Sequence, residues 1–91
     1  MKYNYKPTGV CASNMEFDIE NNIIKNMRVI GGCPGNSQGI RALCIGNDID
    51  YIIDKLKGIK CGFRNTSCPD QISKALEQYK KEGIKIWKMK N

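Results

Sequence analysis

Five cysteines carry most of the reactive chemistry in this sequence: Cys11, Cys33, Cys44, Cys61 and Cys68. No two of them form a C-x-x-C pair, and the 91 residues contain no histidine. Without histidine there is no Ser-His-Asp or Cys-His nucleophilic machinery and no mixed cysteine and histidine zinc site. The thiolates remain as candidate metal ligands or nucleophiles.

Two of the cysteines stand directly before a proline and a predicted helix. Pro69 suits the first helical position, which makes Cys68 the expected N-cap residue, and Pro34 follows Cys33 in the same way. A sulfur at a helix N-terminus faces free backbone N–H groups and the positive end of the helix dipole. Both favour the thiolate, the form that binds a metal or attacks an electrophile.

Cys11 and Cys61 also fall at element ends or in polar loops, where all four cysteines can share one edge of the predicted sheet. We predict a site of four thiolates that holds zinc or an iron-sulfur cluster, with the ligands Cys11, Cys33, Cys61 and Cys68. Cys44 instead shares an apolar helical stripe with Ile40 and Leu43, which predicts a place in the core.

Three other interpretations of these segments stay open. Small cysteines also fill gaps in small cores. Cys61 and Cys68 form a widely spaced pair that suits thiol exchange with a partner protein. The glycine-rich segment 31–35 is typical of a tight turn or of a nest for a nucleotide phosphate, although it has neither a Walker lysine nor a G-x-G-x-x-G pattern.

The first third of the chain predicts an antiparallel hairpin. Apolar and polar residues alternate over 15–19 and again over 27–29, with Ile24 before the second stretch, and the segment 20–22 supplies turn residues. Tyr3 and Tyr5 indicate a short edge strand before the hairpin.

Apolar residues then recur at helical spacing and predict helices over 36–45, 49–56 and 69–82. Asp48 is the expected N-cap of the second helix, and Gly83 the expected end of the third. Because the strands come first and the helices second, we predict an α+β fold. Its small antiparallel sheet is covered on one face by about three helices, with the other face in solvent.

The length predicts a single small domain over residues 1–91. Fifteen Lys and Arg against nine Asp and Glu give a net charge of +6. No segment resembles a signal peptide or approaches the roughly 20 apolar residues of a membrane span, so we expect a cytoplasmic protein with no membrane contact. In a reducing cytosol the cysteines are not expected to form disulfides.

The C-terminal segment 80–90 carries five lysines against Glu82 alone, so most of the net charge lies there. Apolar residues, including Trp87, stand between the lysines. The pattern suits a basic tail or a final strand over 84–91, and a strand would pair with the sheet edge. As a tail it suits docking to an acidic partner or a nucleic-acid contact.

The segment Thr66-Ser67-Cys68-Pro69-Asp70 spells the signature of the TSCPD domain family, whose short stand-alone members this chain resembles over residues 8–80. Matching segments are Gly9-Val10-Cys11, Gly31-Gly32-Cys33-Pro34-Gly35-Asn36, Leu56-Lys57-Gly58-Ile59-Lys60-Cys61 and Asp70-Gln71-Ile72. The domain is best known at the C-terminus of adenosylcobalamin-dependent ribonucleotide reductases. The resemblance implies an accessory protein with a ribonucleotide reductase as partner, in deoxyribonucleotide synthesis. Family labels point to reductase activity, but a chain of this length has no room for the catalytic barrel.

A second resemblance concerns the layout of the cysteines. A hairpin cysteine, a Gly-Cys before a helix and a cysteine before the last helix are similar to iron-sulfur scaffold proteins of the IscU and NifU type. In that comparison Cys11, Cys33 and Cys68 are the ligands, while Ser13 and Ser67 stand where the scaffolds carry aspartate and histidine. Cys61 then supplies a fourth ligand that closes the site.

Overall fold

A computed structural model of the chain describes residues 2–10, 12–31, 34–60 and 66–90, with the backbone alone for 34–37 and 83–90. Three strands come first and three helices follow, which confirms the predicted α+β class. The elements are β1 (Lys2–Tyr5), β2 (Ala12–Glu20), β3 (Ile23–Gly31), α1 (Pro34–Cys44), α2 (Ile49–Leu56) and α3 (Cys68–Lys90). The strands form one antiparallel sheet in the order β1-β2-β3.

The predicted hairpin and edge strand are both present. Asn21 and Asn22 join β2 to β3 with φ values of 52° and 67°, the left-handed conformation that a two-residue hairpin turn requires and that asparagine tolerates. β1 runs beside β2 with Tyr3 opposite Phe17. The two tyrosines of β1 therefore lie at the edge of the sheet, as expected.

One face of the sheet forms the floor of the core. Met15, Phe17 and Ile19 of β2 are buried together with Ile24 and Met27 of β3. The helices close over this face with the buried side chains Cys44, Ile49, Ile52, Ile72, Ala75 and Leu76. Burying each large aliphatic side chain contributes roughly 1.5–3 kcal/mol, so this cluster supplies most of the driving force for folding.

Helix α2 has the predicted bounds, and its start is tied to the hairpin turn. The Asp48 carboxylate accepts a hydrogen bond from the Asp50 N–H at 2.8 Å, as an N-cap does. The Ile49 N–H donates to the Asn22 carbonyl at 2.9 Å, and the Asn22 side-chain amide donates to Asp48. The helix ends at Leu56 with Lys57 as its C-cap, and Gly58 follows in the left-handed conformation.

Two helix starts differ from the prediction by one or two residues. Helix α1 begins at Pro34 rather than at residue 36, because proline tolerates the first helical turn, where its missing N–H has no partner to lose. Helix α3 begins at Cys68, and Ser67 is its N-cap: the Ser67 hydroxyl accepts from the Asp70 N–H at 3.2 Å. The prediction of Cys68 as the N-cap is wrong by one residue.

Helix α3 also continues through Gly83 to Lys90. The predicted helix end at Gly83 and the final strand over 84–91 are therefore wrong, since the backbone of 84–90 is helical. A glycine inside a helix costs only about 1 kcal/mol, and the lysines, Glu82 and Met89 around it are good helix formers. The partner-docking and nucleic-acid interpretations of the basic tail stay predictions.

Within the described part of the chain, no helix is both long and apolar enough to cross a membrane.

Candidate metal centre

The structure describes one of the four predicted metal ligands. Cys68 is the first residue of α3, and its free thiol is half-buried against the core cluster. Cys11, Cys33 and Cys61 lie outside the described residues. Among the residues described, no three Cys, Asp or Glu side chains are close enough together to hold a metal ion. The four-thiolate site therefore stays a prediction.

Cys44 occupies the core, as its place on the apolar stripe predicted. It is 1% exposed, and desolvation by burial raises the pKa of its thiol to about 11. At neutral pH the sulfur is protonated and shielded from water, so this cysteine is unsuited to metal binding or nucleophilic attack.

The residues around Cys68 form a buried polar network of Thr66, Ser67, Asp70 and Gln71, here called the signature network. The Thr66 hydroxyl donates to Asp70 Oδ2 at 2.6 Å. The Ser67 hydroxyl donates to the Ile59 carbonyl at 2.6 Å. Among described buried side chains, no nitrogen or oxygen lacks a hydrogen-bond partner.

Asp70 is the charged member of the signature network, and its side chain is only 6% exposed. Its Oδ1 accepts the Gly58 N–H at 2.8 Å, and Lys74 Nζ lies 3.5 Å from Oδ2. Burial raises the pKa of the carboxyl, but the hydrogen bonds from Thr66 and Gly58 and the charge of Lys74 outweigh it and hold the pKa below its ordinary value. Asp70 is therefore ionised at neutral pH and fastens the turn after α2 to the start of α3.

Gln71 connects the signature network to the end of β1 and the segment that follows it. Its amide is 1% exposed; Nε2 donates to Thr66 Oγ1 at 2.9 Å, and Oε1 accepts the Thr8 N–H at 3.1 Å. The Tyr5 hydroxyl donates to the same oxygen at 3.3 Å. Gly9 passes so close that a Cβ there would lie 3.1 Å from Thr66 Cγ2, and its φ of 71° also favours glycine.

These contacts gather segments that adjoin all four predicted ligands. Residues 8–9 lead towards Cys11, and the Ile59 carbonyl stands two residues before Cys61. Ala12 directly follows Cys11, and Gly31 stands two residues before Cys33. These two residues are paired across β2 and β3. Tyr5 ends β1, Ala12 begins β2 and Gly31 ends β3, so all these flanks lie at the same end of the sheet.

The signature network was not predicted from the sequence, although one local signal indicates part of it. Ser67 and Asp70 have the S-x-x-D spacing of an N-capping pair, which marks the start of a helix. The phosphate nest and the thiol-exchange pair also stay predictions, because residues 32–33 and Cys61 lie outside the described residues.

Comparison with known proteins places these observations in a family. The family model of the TSCPD domain matches residues 1–80. No curated protein and no solved structure matches the chain. The match spans most of the 91 residues and includes the signature segment from which the buried network is built, so the chain belongs to the TSCPD domain family.

Proposed function

We propose that the chain is a small metal-binding module in which four thiolates hold zinc or an iron-sulfur cluster. The ligands are Cys11, Cys33, Cys61 and Cys68. The observation that carries the proposal is the meeting of their flanking segments at one end of the sheet, around the start of α3.

Chain connectivity supports convergence of the cysteines. Successive Cα atoms are about 3.8 Å apart, so Cys11 lies one such step from Ala12 and Cys33 lies two from Gly31. Ala12 and Gly31 are cross-strand partners, whose Cα atoms are about 4.5–5.5 Å apart in an antiparallel pair. The first two ligands thus start from neighbouring points of the sheet.

Ser67 joins the segments that lead to the other two ligands. Its hydroxyl donates a hydrogen bond to the carbonyl of Ile59, two residues before Cys61. Ser67 also directly precedes Cys68, the first residue of α3. Gly9, two residues before Cys11, contacts Thr66, two residues before Cys68. This contact brings the segment before Cys11 next to the segment before Cys68.

The donor set suits both metals. Four thiolates match a tetrahedral zinc site with Zn–S distances of about 2.3 Å, and they equally match an iron-sulfur cluster. Four protein ligands leave no open position for a substrate on zinc, so a zinc site here stabilises the fold. The TSCPD family membership supports a role as an accessory of a ribonucleotide reductase, and the small domain size argues against catalysis by the chain alone.

Elemental analysis and an ultraviolet-visible spectrum of protein purified anaerobically, without a metal-affinity tag, test the metal site. We expect about one zinc per chain, or the visible absorption of an iron-sulfur cluster. Cys11→Ser, Cys33→Ser, Cys61→Ser and Cys68→Ser should each lose most of the metal. Cys44→Ala should keep it, because Cys44 is buried in the core.

Metal-free protein with five titratable thiols overturns the proposal. The proposal is also overturned if the Cys11→Ser variant holds as much metal as the wild type. If Cys61 and Cys68 then exchange disulfides with a partner, the redox interpretation is favoured. The accessory role is tested separately: the metal-loaded protein should change the turnover of a purified ribonucleotide reductase, and the Cys68→Ser variant should not.

A further inference from the structure

Gln71 is a buried amide that joins two parts of the chain distant in sequence. It lies one turn into α3, and its side-chain oxygen holds the Thr8 N–H and the Tyr5 hydroxyl, 63 and 66 residues away. Its side-chain nitrogen donates to Oγ1 of Thr66, two residues before Cys68. One side chain thus touches the segment that leads to Cys11 and the segment that leads to Cys68.

The amide group is required because both of its ends are used. Thr66 Oγ1 gives its proton to Asp70 and therefore needs a donor on its other side, which Gln71 Nε2 supplies. The Thr8 N–H needs an acceptor, which Oε1 supplies. A carboxylate at this position lacks the donor, and an aliphatic group lacks both.

We propose that Gln71 is a positioning residue for the thiolate site: it sets the separation between the Thr8 segment and the N-terminus of α3, and thereby between Cys11 and Cys68. The inference rests on the proposed metal site and adds a residue that is not itself a metal ligand. Partners of this kind, outside the ligand shell, change metal affinity about 10- to 100-fold when they are removed.

Co²⁺ binding to the metal-free protein, measured by competition with a chelator and by the thiolate charge-transfer spectrum, tests this role. Gln71→Met keeps the length of the side chain and should weaken Co²⁺ binding about 10- to 100-fold with an altered spectrum. Gln78→Met is the matched control, because Gln78 is exposed on the same helix and its side-chain amide donates to Glu82. It should bind Co²⁺ as the wild type does.

The failures of the two proposals are distinguishable. Wild-type protein that binds no Co²⁺ and carries no metal overturns the proposed function. Wild-type protein that binds Co²⁺, with equal affinity and an equal spectrum in Gln71→Met, overturns the positioning role alone. If Gln71→Met does not fold, Thr66→Val tests the role, because it removes the partner of Gln71 Nε2 with little change in shape. Weakened Co²⁺ binding in this variant supports the positioning role, and unchanged Co²⁺ binding overturns it.

Discussion

Asp70 shows how one carboxylate joins two segments of this chain. Its side chain is almost fully buried, yet it is ionised because Thr66, Gly58 and Lys74 all favour the charged form. A pKa that is lower in the folded protein than in the unfolded chain adds stability above the unfolded pKa of about 3.9. That stability is lost as the pH falls through the lower folded value.

We therefore predict that Asp70→Asn lowers the free energy of unfolding at pH 7 by about 1–3 kcal/mol, since buried donors lose a charged acceptor. The difference from wild type should narrow as the pH falls below about 4, where Asp70 of the unfolded chain becomes protonated, and should reach its minimum below the lowered pKa of folded Asp70. Urea unfolding at a series of pH values measures this. Asp54→Asn, at an exposed position of α2, is the control and should change little. A destabilisation that stays constant down to pH 2 would show that the charge is irrelevant.

At the scale of elements, local signals predicted the structure well wherever one residue dictates the backbone. The paired asparagines predicted the hairpin turn, and Asp48 predicted the start of α2. Non-local effects were not predictable. The pairing register of β3 shifts between Asp18 and Ile19 of β2, so Ile24 and Met27 both reach the core although they are three positions apart, an odd spacing that places residues on opposite faces of a regular strand.

The signature network was equally beyond local patterns. Gln71 is a polar residue on the buried side of an amphipathic helix, and only its partners, Tyr5 and Thr8, explain why it is there. Gly83 shows the opposite case: a glycine is a frequent helix end, but its local signal is weak enough for the surrounding helix formers to override it.

Helix α2 and the hairpin turn depend on the same residue, which gives a prediction at this scale. Asp48 caps the helix and also accepts the Asn22 side-chain amide. Asp48→Ala should lower the free energy of unfolding by about 1–2 kcal/mol, the upper range for a lost N-cap. Thermal or urea unfolding checks it, with Asp54→Ala on the exposed face of the same helix as the control. Equal stability of the two variants would contradict a capping role.

At the scale of the whole molecule, a chain of 91 residues has a modest core, which consists of the buried strand and helix residues already named. Domains of this size bury a smaller fraction of their surface than larger ones, so a few kcal/mol is a large share of their stability. The segments that flank the four cysteines lie at one end of the sheet and at the start of α3. A metal at the proposed site would link the sheet to the last helix, so its loss would destabilise the whole fold.

We predict that removing a metal from the proposed site lowers the melting temperature of the whole domain. A ligand at 1,000 times its dissociation constant adds about 4 kcal/mol to the folded state. For a domain of this size each kcal/mol is worth about 4–8 °C, so a strong chelator should lower the melting temperature by at least about 15 °C. Circular dichroism during heating, with and without chelator, measures the change. Cys44→Ala should respond to the chelator as wild type does, whereas Cys68→Ser should melt low in both conditions. If the wild type melts at one temperature regardless of chelator, although metal analysis confirms removal, the metal does not hold the sheet and α3 together.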